Sequence, residues 1–132
     1  MEKKFTNPSD IHTPRGYTHV VTVEGGKLAF ISGQVAIDQS GNLVGKGDLR
    51  AQAQKASENL VAALRAIGAT PADIVKMNTY IVNYKPEDYR AIREVRAAIF
   101  TGDNPPASTL VGVQALAIEG LLIEIEAVAA IK

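Results

Sequence analysis

The sequence predicts a two-layer α+β domain in which two amphipathic helices cover one face of a mixed β-sheet. Three observations predict it. Two segments, about 48–67 and 86–100, repeat apolar residues at steps of three and four, the period of a helix with one buried face. Six other segments are rich in β-formers and bounded by turn residues. The helical segments fall between strand segments, giving the order β-β-β-α-β-α-β-β over one domain, 1–132.

Taken in order, residues 1–16 are polar and carry Pro8, Pro14 and Gly16, so they read as an extended N-terminal arm. Tyr, Thr and Val dominate 17–23 as a first strand, Glu24-Gly25-Gly26-Lys27 supplies turn chemistry, and 28–31 is a second strand. Ser32-Gly33-Gln34 interrupts it at a position without Cβ, where a ligand or another chain segment can approach closely. A third strand includes 35–37 and ends at Ser40-Gly41-Asn42.

The first helix takes Asp48 as its N-cap and Gly68 as its left-handed stop, with Leu49, Ala53, Ala56, Leu60, Leu64 and Ile67 as its apolar stripe. Thr70-Pro71-Ala72-Asp73 reads as a capped single turn before a strand at 75–82, whose Val75, Met77, Thr79 and Ile81 share one face. The second helix buries Tyr89, Ile92, Val95 and Ile99 and stops at Gly102. Asn104-Pro105-Pro106 is a rigid turn, and strands at 108–116 and 121–131 close the chain.

The last strand has a consequence. Ile123, Ile125, Ala127 and Ala129 lie on one face and Leu122 and Val128 on the other, so both faces need cover. The helices cover one. A second copy of the chain is the simplest cover for the other, which predicts a homo-oligomer.

Composition narrows the function classes. Fourteen Lys and Arg balance 14 Asp and Glu, there is no Trp, and no run of like charge stands out. Nucleic-acid binding is therefore not expected. With no cysteine, thiolate nucleophiles, zinc–sulfur sites and iron–sulfur clusters are excluded. His12 and His19 have no accompanying carboxylate pattern, so neither a metal nor another cofactor is expected. No apolar run approaches the ~20 residues that span a bilayer. The opening residues lack the apolar stretch of a secretory signal, so the cytoplasm is the expected location.

Phosphate loops, nucleophile elbows and dinucleotide fingerprints are absent, which leaves scattered polar residues as candidates. Glu124 and Glu126 alternate with isoleucines and share a face with Leu122 and Val128. They read either as solvated glutamates or as carboxyls enclosed by the oligomer. An enclosed carboxyl pairs with a cation or is driven toward protonation, which suits acid/base work. Tyr17 reads as a half-buried strand tyrosine or as one with a functional hydroxyl, and His19, two residues on, as a site residue on the same strand face or a surface ring. Ser32 reads as a turn residue or a ligand contact, and Arg93 as a surface arginine or a cleft cation beside the buried stripe.

Several stretches together resemble the Rid/YjgF family of reactive-intermediate deaminases, whose older label is endoribonuclease L-PSP. They are Gly16-Tyr17-Thr18-His19, Phe30-Ile31-Ser32-Gly33-Gln34-Val35, Ala51-Gln52 with Asn59-Leu60, Gly68 with Asp73-Ile74-Val75, Pro106-Ala107-Ser108, and Ile123-Glu124-Ile125-Glu126-Ala127. Their order and spacing cover nearly the whole chain after the arm.

The resemblance implies a chorismate-mutase-like fold, a homotrimer with clefts between subunits, and hydrolysis of small imines or enamines to carbonyl compounds and ammonia. It makes Glu124 the residue that orients water or moves the proton, Tyr17 a cleft tyrosine, and Ser32-Gly33 the lining loop beside Ala107. Deaminating members carry an arginine after the Pro-Ala pair, where it clamps the substrate carboxylate. Here that position is Ser108, so the chain is a divergent member and deamination of the usual imino acids is in question. Arg93 stands where the family has a cleft asparagine and is the candidate replacement cation, with Arg15 second. The competing readings are a non-catalytic small-molecule binder or stress-protective trimer and, last, the ribonuclease and translation inhibitor of the older label.

Overall fold

The computed structural model describes residues 1–132. Its strands are β1 (Glu2–Thr6), β2 (Val20–Glu24), β3 (Lys27–Gln34), β4 (Ile74–Val82), β5 (Ala107–Val113) and β6 (Ile123–Ile131). Helices α1 (Leu49–Ala66) and α2 (Asp88–Ile99) follow β3 and β4 respectively. The α+β class is found, and the order of elements from α1 onward is the predicted one. The main sheet has the order β3-β6-β4-β5, with β6 antiparallel to both of its neighbours and β5 parallel to β4. The C-terminal strand thus enters the middle of the sheet, with Ile123, Ile125, Ala127 and Ala129 buried on one face.

Two early elements differ from the expectation. Glu2–Thr6, within the predicted arm, is a strand that pairs antiparallel with β2 in a separate two-stranded ribbon. Its Lys3 reaches Asp73 at 3.6 Å. The expected third strand at 35–37 is absent. The second strand instead runs on through Gln34, and only an isolated bridge joins Ile37 to Leu43.

The helices follow their local signals. The Asp48 side chain accepts from the Ala51 N–H at 3.0 Å, and Gly68 takes φ +73° just beyond the end of α1. Ala53, Ala56, Leu60 and Leu64 pack with Ile92 and Val95 of α2 against Ile74, Met77, Ile81, Ile123 and Ile125. Two predicted stripe residues are not buried: Ile67 is 43% exposed because it caps the helix, and Tyr89 is 40% exposed. No helix is long and apolar enough to cross a membrane.

Two polar side chains on α1 fasten the loops. Gln52, fully buried, donates to the carbonyls of Gly45 (3.2 Å) and Gly120 (2.9 Å) and accepts from the Leu122 N–H (2.8 Å). Asn59 donates to the carbonyls of Val35 (2.8 Å) and Ile37 (2.9 Å). Together they fix the chain beyond β3 and the entry to β6, the two segments that flank Glu124. The face opposite the helices stays open, with Leu28 56%, Phe30 78% and Val111 40% exposed.

Candidate functional site

The fold gathers the candidate residues into two places. One is a cavity of about 310 Å³ between α2, the start of β5 and the 15–17 segment. Arg15, Tyr17, Arg93 and Ser108 all line it, as does Arg96, which the sequence reading did not single out. The other is the open face of the sheet, which carries Ser32, Gly33 and Glu124. Within one chain the two places are separate, and Ala107 lines neither cavity.

Thr18 builds the first place. It is buried, its hydroxyl donates to the Pro105 carbonyl at 2.5 Å, and its N–H donates to the Pro106 carbonyl at 3.1 Å. These bonds hold Tyr17 over the proline turn. The Tyr17 hydroxyl lies 2.6 Å from His12 Nε2, and the His19 ring meets the Tyr17 ring edge-on at 5.4 Å. His19 Nε2 in turn donates to the His12 carbonyl at 2.7 Å. His19 therefore braces Tyr17 and does not itself line the cavity, although neither residue lies within a strand. Arg93 and Arg96 are three positions apart on α2, a spacing that sets both on one side of the helix. That spacing was the available signal for Arg96.

On the open face, Glu124 and Glu126 have different surroundings. A Cβ placed on Gly33 would come within 2.8 Å of Glu124 Cγ and closer still to its carboxylate. The gap in the strand is thus filled by Glu124, and glycine is what lets the carboxyl lie against the β3 backbone. No cation of the same chain is paired with it. Glu126 accepts from Asn78 Nδ2 at 3.1 Å and from the Tyr80 hydroxyl, in a cavity of about 310 Å³ that Ser32, Phe30 and Lys76 also line. The period-two run Lys76, Asn78, Tyr80 on β4 was the sequence signal for this cluster.

The Tyr80 bond, then that from Asn78, holds the Glu126 carboxyl below its ordinary pKa, and the same bond raises the Tyr80 phenol. A depressed carboxylate adds stability above its unfolded pKa, and that stability is lost as pH falls through the folded value. Tyr80→Phe is therefore expected to move the Glu126 titration, followed by carbon-detected NMR, to higher pH. An unmoved titration would show that the contact is not made in solution.

No group of three or more His, Cys, Asp or Glu is placed to hold a metal ion. The structure thus defines a small α+β protein with an arginine-lined cavity and a glutamate seated on its open sheet face. Residues 8–131 match the family described as Endoribonuclease L-PSP, and the chain belongs to that family, the Rid proteins. It is 44% identical to YyfB of Yersinia pestis, a conserved Rid-family protein, over 99% of this chain and 100% of that one, with a TM-score of 0.92. It is 36% identical to Protein DfrA of Myxococcus xanthus over 86% of this chain and 83% of that one. It is 34% identical to the 2-iminobutanoate/2-iminopropanoate deaminase of Dermatophagoides farinae, over 83% of each.

Proposed function

We propose that the protein hydrolyses a reactive imine or enamine in the cytoplasm, in clefts of a homotrimer where the arginine-lined cavity of one protomer meets Glu124 of the next. The single observation that carries this reading is the Glu124 carboxylate laid against Gly33 on a face no part of the chain covers. The separation of the two half-sites within one chain and the exposure of Leu28, Phe30 and Val111 support the assembly. The relative named as an imine deaminase supports the chemistry.

In this reading water adds through oxygen to the C=N carbon, and Glu124 takes a proton from that water. It returns that proton to nitrogen, giving a carbinolamine; Glu124 then takes the hydroxyl proton and passes it to the amino group, the C–N bond breaks, and ammonia leaves behind a carbonyl group. Tyr17 and Ser32 line the cleft, and Arg93 provides the cation that Ser108 cannot. A guanidinium forms a two-bond fork with a carboxylate, whereas a serine hydroxyl offers one bond without charge.

A specific observation favours a second reading, a passive small-molecule binder. With Ser108 in place of the fork, the cavity could hold a metabolite without orienting it for attack. One assay separates the two. Imines are generated by an amino-acid oxidase and trapped with semicarbazide while the protein is titrated in. Catalysis lowers the trapped fraction and speeds ammonia release at substoichiometric protein; an unchanged trapped fraction would leave only the binder. Light scattering at micromolar concentration is expected to return the mass of three protomers, and a monomer would remove the shared cleft. The ribonuclease reading has no basic surface surplus to support it.

A further inference from the structure

We infer that the cavity between α2 and β5 is built for a ligand carrying two anionic groups on a short carbon skeleton. Arg93 and Arg96 would take one group each, with Arg15 closing over them. Three guanidinium groups line this cavity, and no Asp or Glu does. The contrast with the neighbouring arginines is direct. Arg50 and Arg90, on the same two helices, both reach Glu94, at 2.7 and 3.0 Å, whereas Arg15, Arg93 and Arg96 take part in no salt bridge.

Arg96 sharpens the point. Of its five N–H donors, one meets the Met77 sulfur at 3.5 Å, a weak acceptor, and no other side-chain hydrogen bond is made. Burial lowers its pKa, and its N–H groups without a protein partner are not sealed in the core but open to the cavity it lines. Yet an arginine does not shed its proton at any physiological pH, so this charge cannot relax as a buried lysine can. A bound anion would satisfy it. One carboxylate occupies one guanidinium fork, and at helical spacing i, i+3 the second fork is left open for a second group. The lining also includes the apolar Ile92, Phe100 and Leu110, which suit the methylenes of a short carbon skeleton. A cavity of about 310 Å³ is at the small end of ligand sites and fits a four- or five-carbon diacid.

This inference gives the substrate class for the deamination proposed above, and to that extent rests on it. All three arginines belong to one chain, so anion binding can be measured without chemistry. Isothermal titration at constant ionic strength would compare pyruvate, 2-oxoglutarate and 3-phosphoglycerate. The dianions are expected to bind about tenfold or more tightly than pyruvate, from one additional charge-assisted contact. Tighter binding of 3-phosphoglycerate than of 2-oxoglutarate would assign the second group as phosphate, and the reverse as carboxylate.

Arg96→Gln is expected to remove the preference while leaving pyruvate binding. Arg93→Gln, at an exposed position, is the second variant should Arg96→Gln fail to fold. Equal affinity for mono- and dianions, no binding of either, or a preference that survives both folded variants would overturn the inference. The two proposals separate cleanly. A dianion preference without turnover of any imine overturns the deaminase reading and leaves the cavity assignment. Turnover of 2-iminopropanoate with no dianion preference does the opposite.

Discussion

Glu124→Gln is expected to lower turnover of an imine substrate by about 10²–10⁴-fold, the usual contribution of a positioned proton carrier, while KM changes little. Glutamine keeps the shape and the contact with Gly33, but its amide cannot take up a proton from water. Arg93→Ala should do the reverse, weakening binding of the anionic part of the substrate and raising KM. Glu126 offers an internal contrast. It alternates with the same isoleucines, but its carboxylate is already engaged by Tyr80 and Asn78. Glu126→Gln should therefore act far more weakly than Glu124→Gln. Gly33→Ala tests position rather than chemistry: its Cβ needs the space the Glu124 side chain occupies, so the carboxyl must swing away and turnover must fall. Should Glu124→Gln retain kcat within a few-fold, the proton carrier is another group and the mechanism is wrong.

Much of this was readable from the residues, because the signals were local. The Asp48 cap, the α1 stripe and Gly68 each act within a turn or two of the chain, and α1 ends where they place it. Gly33 was legible as a close approach, but not what approaches, since Glu124 is about ninety residues away along the chain. The two misread segments fail for one reason. Whether Glu2–Thr6 is an arm or a strand depends on β2 as a partner, and 35–37 finds no ladder partner beyond an isolated bridge from Ile37 to Leu43. Pairing is a tertiary fact that propensity does not carry. Arg96 was passed over because an arginine beside an apolar stripe is usually a solvated one. Arg90 shares the same three-residue spacing to Arg93, so it is the cavity and the absence of a carboxylate that set Arg96 apart.

The second large effect is one of stability. Gln52→Leu is expected to destabilise the fold by about 3 kcal/mol, lowering Tm by roughly 10 °C at fixed protein concentration. Leucine matches the buried volume well enough that no large cavity forms. What is lost is polar: the Gly45 and Gly120 carbonyls and the Leu122 N–H each lose the partner they have in Gln52. An unsatisfied buried backbone group costs about 1–3 kcal/mol, and loops that can shift toward water recover part of the sum. Gln52→Glu should rescue only in part, because a carboxylate can accept from Leu122 but can donate to neither carbonyl. Leu122 is two residues from Glu124, so the same substitution should loosen the entry to β6 and reduce turnover in the protein that remains folded. A Tm within about 2 °C of wild type would mean that the loops hold their places without this residue. The link from the α1 core to the seat of Glu124 would then have to run through Asn59 and the β3 edge alone.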